Sequence, residues 1–255
     1  MLGVTISFWV IGFGDVGLSM PTASEVPIQG VKQATTQAPD VVFNFPQNFE
    51  PPGDGRPEDT RGSGSRTGAC SAAALDSAEH ETSDADRGSS VAGRIRAIAP
   101  IDRFGLTLQS HPKVFINLDG DVAPSVVMRV QDEAGDYDER VTLPVDPNLP
   151  IQGFALPGDR PPLEVGKNYL WTILVACDGQ VNPYHPIFSG WVQRVALSAA
   201  PGGLQQQPIA EQIDWYTHGG YWYDLVETLY QAQQATPTNN IARETWEQLL
   251  EFVDR

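Results

Sequence analysis

Positive charge is what this chain most lacks. Its 255 residues carry 16 basic against 32 acidic side chains, a formal charge of −16, and lysine stands only at Lys32, Lys113 and Lys167. No basic run exists. A phosphate backbone is held by clustered cations that displace its counterions, so nucleic acid is excluded as a partner. Anionic membrane surfaces repel the chain for the same reason. A membrane-spanning helix needs roughly 20 consecutive apolar residues, and no run of that length is present, so no transmembrane span is expected. Cysteine is confined to Cys70 and Cys177. In a reducing compartment these are two unrelated thiols, and in an oxidising one they can form a bridge. The four histidines form no metal-ligand spacing. His80-Glu81 opens the pattern of a zinc protease, but the second histidine that motif needs one turn later is replaced by Asp84. No cofactor is expected.

Apolar content is nevertheless 41%, enough for a real core, while Gly and Pro are abundant at 24 and 21 residues. They are concentrated early. Residues 2–14 (LGVTISFWVIGFG) form an apolar run of signal-peptide length followed by Met20-Pro21-Thr22-Ala23-Ser24. Residues 1–23 therefore read as an export signal, although no Lys or Arg precedes the run and no clean Ala-x-Ala follows it. Export to the periplasm or the extracellular space is the expected localisation. The same stretch contains Gly12-Phe13-Gly14-Asp15-Val16-Gly17, the glycine spacing of a dinucleotide-binding turn. That turn must open a helix, and here the chain runs into Pro21 instead, so nucleotide binding is not expected. Residues 24–90 read as a linker, with Pro51-Pro52-Gly53, Arg61-Gly62-Ser63-Gly64-Ser65 and a polar run from 76 to 90. Such a composition buries too little apolar surface to offset a conformational entropy cost of about 1–2 kcal/mol per residue. Val41-Val42-Phe43-Asn44-Phe45 can add one short strand.

From residue 91 to 198 short β-rich runs recur between turn signals, at 95–99, 105–108, 114–118, 125–131, 140–143, 151–156, 169–177 and 190–197. Helical periodicity is missing between them, which predicts a mainly β fold, an antiparallel β-sandwich of Ig-like or jelly-roll-like type. In 169–177, Tyr169, Trp171, Ile173, Val175 and Cys177 share one face, and the other carries Leu170, Thr172, Leu174 and Ala176. A strand apolar on both faces is expected to lie centrally and be covered on both sides. Trp191, Gln193, Val195 and Leu197 share a face opposite Arg194, which predicts a half-exposed strand. Residues 131–137 (QDEAGDY) read as a hairpin tip with Gly135 free to adopt positive φ. Asp132 and Asp136 there, with Asp119 and Asp121, are the weak candidates for a Ca²⁺ clamp. They form no complete calcium loop, so solvated turns are the competing reading and no metal site is assigned. His185 and Asp178 can pair as acid and base, but no nucleophile or oxyanion-hole signature accompanies them. No catalytic residue is assigned and the chain is not expected to be an enzyme.

Several separated motifs occur together: Arg66-Thr67-Gly68-Ala69-Cys70, Gly105-Leu106-Thr107-Leu108 with His111-Pro112, and Pro162-Leu163-Glu164-Val165-Gly166-Lys167 leading to Trp171 and Cys177-Asp178. Gly190-Trp191-Val192-Gln193-Arg194-Val195 and Trp222-Tyr223-Asp224 follow in the same order. With these the chain resembles the cyanobacterial proteins grouped as domain of unknown function 928. The resemblance runs from about residue 41 to 253. It implies an exported protein encoded in operons with extracytoplasmic sensory and peptidase-like proteins, which is a pointer to partners without naming one, and supplies no catalytic residue. Both cysteines lie inside its motifs, which implies a Cys70–Cys177 bridge, with two buried free thiols as the alternative.

Residues 199–255 change period. Trp222, Leu225, Val226 and Leu229 fall at i, i+3, i+4 and i+7, as do Trp246, Leu249, Leu250 and Val253, with Gly219-Gly220 and Thr236-Pro237 as breaks. A small helical C-terminal subdomain is expected. Gly220, Trp222, Leu225, Leu229, Ala232 and Pro237 resemble the turn and second helix of a tetratricopeptide repeat, with Leu225 where that motif usually has Ala. One such unit cannot bury its own face, so it packs on the sandwich, dimerises or receives a partner. The Tyr221-Trp222-Tyr223 cluster is the candidate partner contact, with burial in the core as the competing reading. The leading expectation is a non-catalytic binding or scaffold protein of the cell envelope that engages a protein partner. A carbohydrate- or Ca²⁺-binding module is the alternative, and a hydrolase the third.

Overall fold

The computed structural model describes Pro57, Cys70 and residues 95–254 apart from 119–122, 183 and 237. The signal-like run, the possible strand at 41–45, the linker apart from Pro57 and Cys70, and the acids Asp119 and Asp121 lie outside the described residues.

Two sheets form the sandwich. The larger contains β2 (Phe104–Thr107), β4 (Ser125–Asp132), β5 (Asp138–Pro144), β7 (Asn168–Ala176) and β8 (Ile187–Arg194), in the order β2-β8-β7-β4-β5. The smaller contains β1 (Arg96–Ile98), β3 (Val114–Asn117) and β6 (Ile151–Phe154), in the order β1-β3-β6. Each of the eight strand segments expected between 91 and 198 is present. The pairing departs from the all-antiparallel expectation at one place: β2 runs parallel to β8, with Phe104 beside Trp191 and Thr107 beside Arg194. A parallel pair cannot be closed by a hairpin, and about 80 residues of sandwich separate the two strands in sequence.

Strand β7 is central, as its composition requires, and the inner face of the larger sheet is built on it. Val130, Trp171 and Gly190 lie in one cross-strand row, and Met128, Ile173 and Phe188 in the next. The reading that both faces of β7 are covered needs correction. Tyr169, Trp171, Ile173 and Val175 are buried, whereas Leu170, Thr172 and Leu174 are half-buried on the outer face. Strands buried on both faces are β2, at all four positions, and β3, where Val114, Phe115 and Ile116 are buried. Strand β3 lies between the larger sheet and the helices.

The tail consists of α1 (Ile209–Gly219), α2 (Trp222–Ala235) and α3 (Asn240–Val253). Gly220 ends α1 in the left-handed region at φ 73°, and the Tyr221 N–H returns to the Tyr216 carbonyl at 2.9 Å. Asn239 caps α3 by accepting from the Ala242 N–H. The helices share one hydrophobic core with the sheets. On α2, the Trp222 Nε1–H donates to the Ile98 carbonyl, the Tyr230 hydroxyl donates to the Ile151 carbonyl, and the Tyr230 ring lies 5.0 Å from that of Phe115. Of the three fates open to an unpaired helical unit, this chain shows packing on its own sandwich.

The helical hairpin also covers β2, an edge strand of the larger sheet. Gly105 has no side chain where a Cβ would lie 2.8 Å from Cβ of Trp222, so helix and strand approach closely. The Leu106 N–H donates to the Gly220 carbonyl, and the Leu108 N–H donates to the Asp224 carboxylate, both at 3.0 Å. The outward N–H groups that an edge strand would leave unpaired are thereby satisfied.

Candidate functional site

The Tyr221-Trp222-Tyr223 cluster is not a surface. The three residues are 7%, 0% and 3% exposed, so the proposed partner contact is corrected to core. The reason is chemical as well as geometric. The Trp171 Nε1–H donates to the Tyr223 hydroxyl at 2.6 Å, and that hydroxyl donates onward to the Trp191 carbonyl at 2.9 Å. Burial pushes the Tyr223 phenol well above its ordinary value, so it stays a neutral donor. The aromatic cluster is the joint between helix and sandwich.

The acidic hairpin tip forms as expected, with Gly135 at φ 79°. Asp132 turns inward and accepts from the Tyr137 N–H at 3.2 Å, so it stabilises the turn, while Asp136 is exposed. Among the described residues no group of three or more His, Cys, Asp or Glu side chains converges on a metal position.

Cys70 and Cys177 form a disulfide, with Cα atoms 5.1 Å apart. Cys177 opens the β7–β8 loop, residues 177–186, which is ordered by a chain of local bonds. Asp178 accepts from the Gln180 N–H at 2.9 Å, Asn182 accepts from the Tyr184 N–H at 3.0 Å, and the Pro186 carbonyl accepts from the Val175 N–H at 2.9 Å. His185 is 2% exposed and points into the protein, with Nε2 4.0 Å from Asp178 Oδ1. At that separation the imidazole and the carboxylate of the possible acid–base pair are not hydrogen-bonded, and the histidine acts as an anchor beneath the loop. Above the anchor, Tyr184 is 74% exposed and Val181 55%.

A second feature lies beside α2. Its first turn places Asp224 on the face opposite the apolar stripe of Trp222, Leu225 and Val226, and the carboxyl is nevertheless buried. Oδ2 accepts from the Leu108 N–H, and Oδ1 has no hydrogen-bond partner. Burial pushes its pKa up to about 6, against hydrogen bonds from Leu108 and Thr107 that favour the charged form and with Glu227 adding repulsion. Asp224 lines a polar cleft of about 350 Å³ with Gln109, Gln205, Gln212, Tyr216 and Gln231. A second hollow of about 250 Å³, lined by Leu108, Leu197 and Leu204, shares Gln205 and Tyr216 with it. Sequence reasoning missed this cleft. The polar set Asp224, Glu227, Thr228 and Gln231, at i, i+3, i+4 and i+7 on the face away from the apolar stripe, was its one visible signal.

The Asp224 carboxyl has a measurable consequence. Its folded-state pKa lies above the ordinary 3.8, so the folded protein binds a proton that the unfolded chain releases. Stability is therefore expected to fall as pH rises from about 4 to about 6, by on the order of 3 kcal/mol. Asp224→Asn keeps an acceptor for Leu108 and removes the titration. Thermal midpoints of the two proteins should diverge across that window, the variant becoming the more stable; parallel profiles would contradict the assignment.

The family described as Domain of Unknown Function (DUF928) matches residues 81–254. The chain belongs to that family. The match to DUF928 covers both sheets, α1 to α3, the β7–β8 loop and the cleft. No curated protein matches the chain. Among solved structures, the fn3 domain of human collagen alpha-1(XX) chain is similar at 15% identity, covering 48% of this chain and 96% of that domain, with a TM-score of 0.25. At that score the likeness carries no argument. No helix among the described residues of this DUF928 member is long and apolar enough to cross a membrane.

Proposed function

We propose that this protein is an exported, non-catalytic binding module of the cell envelope that engages a protein partner through the β7–β8 loop. The observation that carries this reading is the presentation of Tyr184. A large aromatic stands almost fully in solvent, with Val181 close by in the loop, on backbone held at one end by the Cys70–Cys177 bridge and at the other by buried His185. Exposed aromatics dominate binding energy at interfaces, and fixing a loop before contact lowers the ordering cost of association. The disulfide supports export, because such bridges persist in oxidising compartments. The net charge of −16 favours a partner whose contact surface is neutral or basic around an apolar pocket.

The test is site-specific. A photoreactive phenylalanine analogue at position 184, expressed in the native envelope, should cross-link one protein. The same probe at Gln234, exposed on α2, should not. Val181→Ala with Tyr184→Ala should abolish co-purification of that protein while leaving the thermal midpoint unchanged. Equal labelling from both positions, or co-purification that survives the double substitution, would refute the reading.

A further inference from the structure

We infer that the cleft beside α2 binds a neutral, hydroxyl-rich ligand of the saccharide class. Its lining determines the chemistry. The Gln109 and Gln205 carboxamides have no side-chain hydrogen bond among the described residues. Each offers two donors and an acceptor. Gln212 and Gln231 spend their amide groups on the Gln207 carbonyl, at 2.7 Å, and on Glu227, at 2.9 Å, which leaves their side-chain oxygens as acceptors. Asp224 adds an unpartnered Oδ1 that is itself buried, at the floor of the cleft. The cleft therefore presents donors and acceptors together and has no cation of its own. Glu227, at its rim, is neutralised by Lys113 at 2.6 Å.

Other ligand classes fit less well. A phosphate or carboxylate offers acceptors only and meets Asp224. An ammonium offers donors only, so it answers the oxygens of the cleft and makes no use of the carboxamide N–H groups. An extended peptide adding to the sheet needs a free strand edge, and the neighbouring edge, β2, already donates its Leu106 and Leu108 N–H groups to Gly220 and Asp224. A hydroxyl both donates and accepts, so a sugar satisfies every group at once. The adjoining hollow, with Leu197 67% exposed at its wall, suits the apolar face of a second ring. Together the two hollows reach the size of ordinary small-molecule sites, about 300–1,000 Å³.

The experiment uses the oxidised full chain in calorimetric titrations against glucose, N-acetylglucosamine and their β-1,4-linked dimers, with spermidine, Ca²⁺ and an alanine-rich peptide in parallel. At least one neutral sugar should bind, the dimer more tightly than the monomer, with affinity unchanged between low and high salt. Gln109→Ala, Gln205→Ala and Asp224→Asn should each weaken it by about tenfold or more, the scale of one lost hydrogen bond to a charged or well-fixed group, with thermal midpoints showing that each variant is folded. Silence with every sugar overturns the inference. So does binding confined to spermidine, Ca²⁺ or the peptide, or sugar affinity indifferent to all three substitutions. None of these outcomes bears on Tyr184, so the two readings fail separately.

Discussion

Reduction of the Cys70–Cys177 bridge, or replacement of both cysteines by serine, is expected to lower stability by about 4–5 kcal/mol. The bridge closes a loop of 107 residues, and its removal releases the loop-closure entropy that the cross-link takes from the unfolded chain. Guanidinium unfolding of oxidised and reduced protein gives the number directly. Coincident midpoints would mean that the unfolded chain gains little freedom on reduction. A functional readout separates this from a merely structural effect: once Cys177 is freed, cross-linking from position 184 should weaken even under conditions where the reduced protein stays folded.

Trp171→Ala should cost a similar amount, about 3–5 kcal/mol. The indole is 1% exposed and lies over Gly190, whose missing side chain makes its room: a Cβ there would sit 2.5 Å from the ring. Truncation leaves a cavity at the centre of the larger sheet. The substitution also removes the hydrogen bond to Tyr223, and with it a tie between sandwich and α2. Tyr223→Phe should cost less, about 1–3 kcal/mol, by stranding the indole N–H and the Trp191 carbonyl. Because Trp171 and Tyr223 share one bond, Trp171→Phe combined with Tyr223→Phe should cost less than the two single changes added together. Strict additivity would show that the bond contributes nothing. Chemical denaturation of the four proteins supplies the cycle.

The elements that sequence reasoning located well are those whose signal is local. Alternation in Tyr169, Trp171, Ile173 and Val175, punctuated by turn residues, marks β7 without reference to anything else, and the i, i+3, i+4, i+7 spacing of Trp222, Leu225, Val226 and Leu229 marks α2 equally well. Faces were harder to assign. The non-core face of β7 is apolar enough to look buried, and among the described residues Leu170 and Leu174 are only half-buried. The parallel pairing of β2 with β8 was hidden because register between distant strands depends on the packing of everything between them. The aromatic triplet at 221–223 has the composition of an interface and the location of a core, and composition alone cannot separate the two. The cleft was least legible. Gln109, Gln205, Gln212 and Gln231 are spread over more than a hundred residues and come together only when α1 and α2 fold back against the end of β2.

Covering β2 also restricts how copies of this protein can assemble. With one border of the five-stranded sheet closed by the protein's own helical hairpin, the other border, β5, is the one that the described residues leave for strand-to-strand joining. Two molecules meeting there would form a self-complementary pair related by a two-fold axis, and neither would retain a second border in that sheet to recruit a third. Arg129 grips Asp138 there through two bonds of 2.7 Å, and Glu139 pairs with Arg160 at 3.1 Å. Any such pairing would have to accommodate that row of charge. For this sheet, extension ends at a dimer, and a fibre would first require the helices to come away.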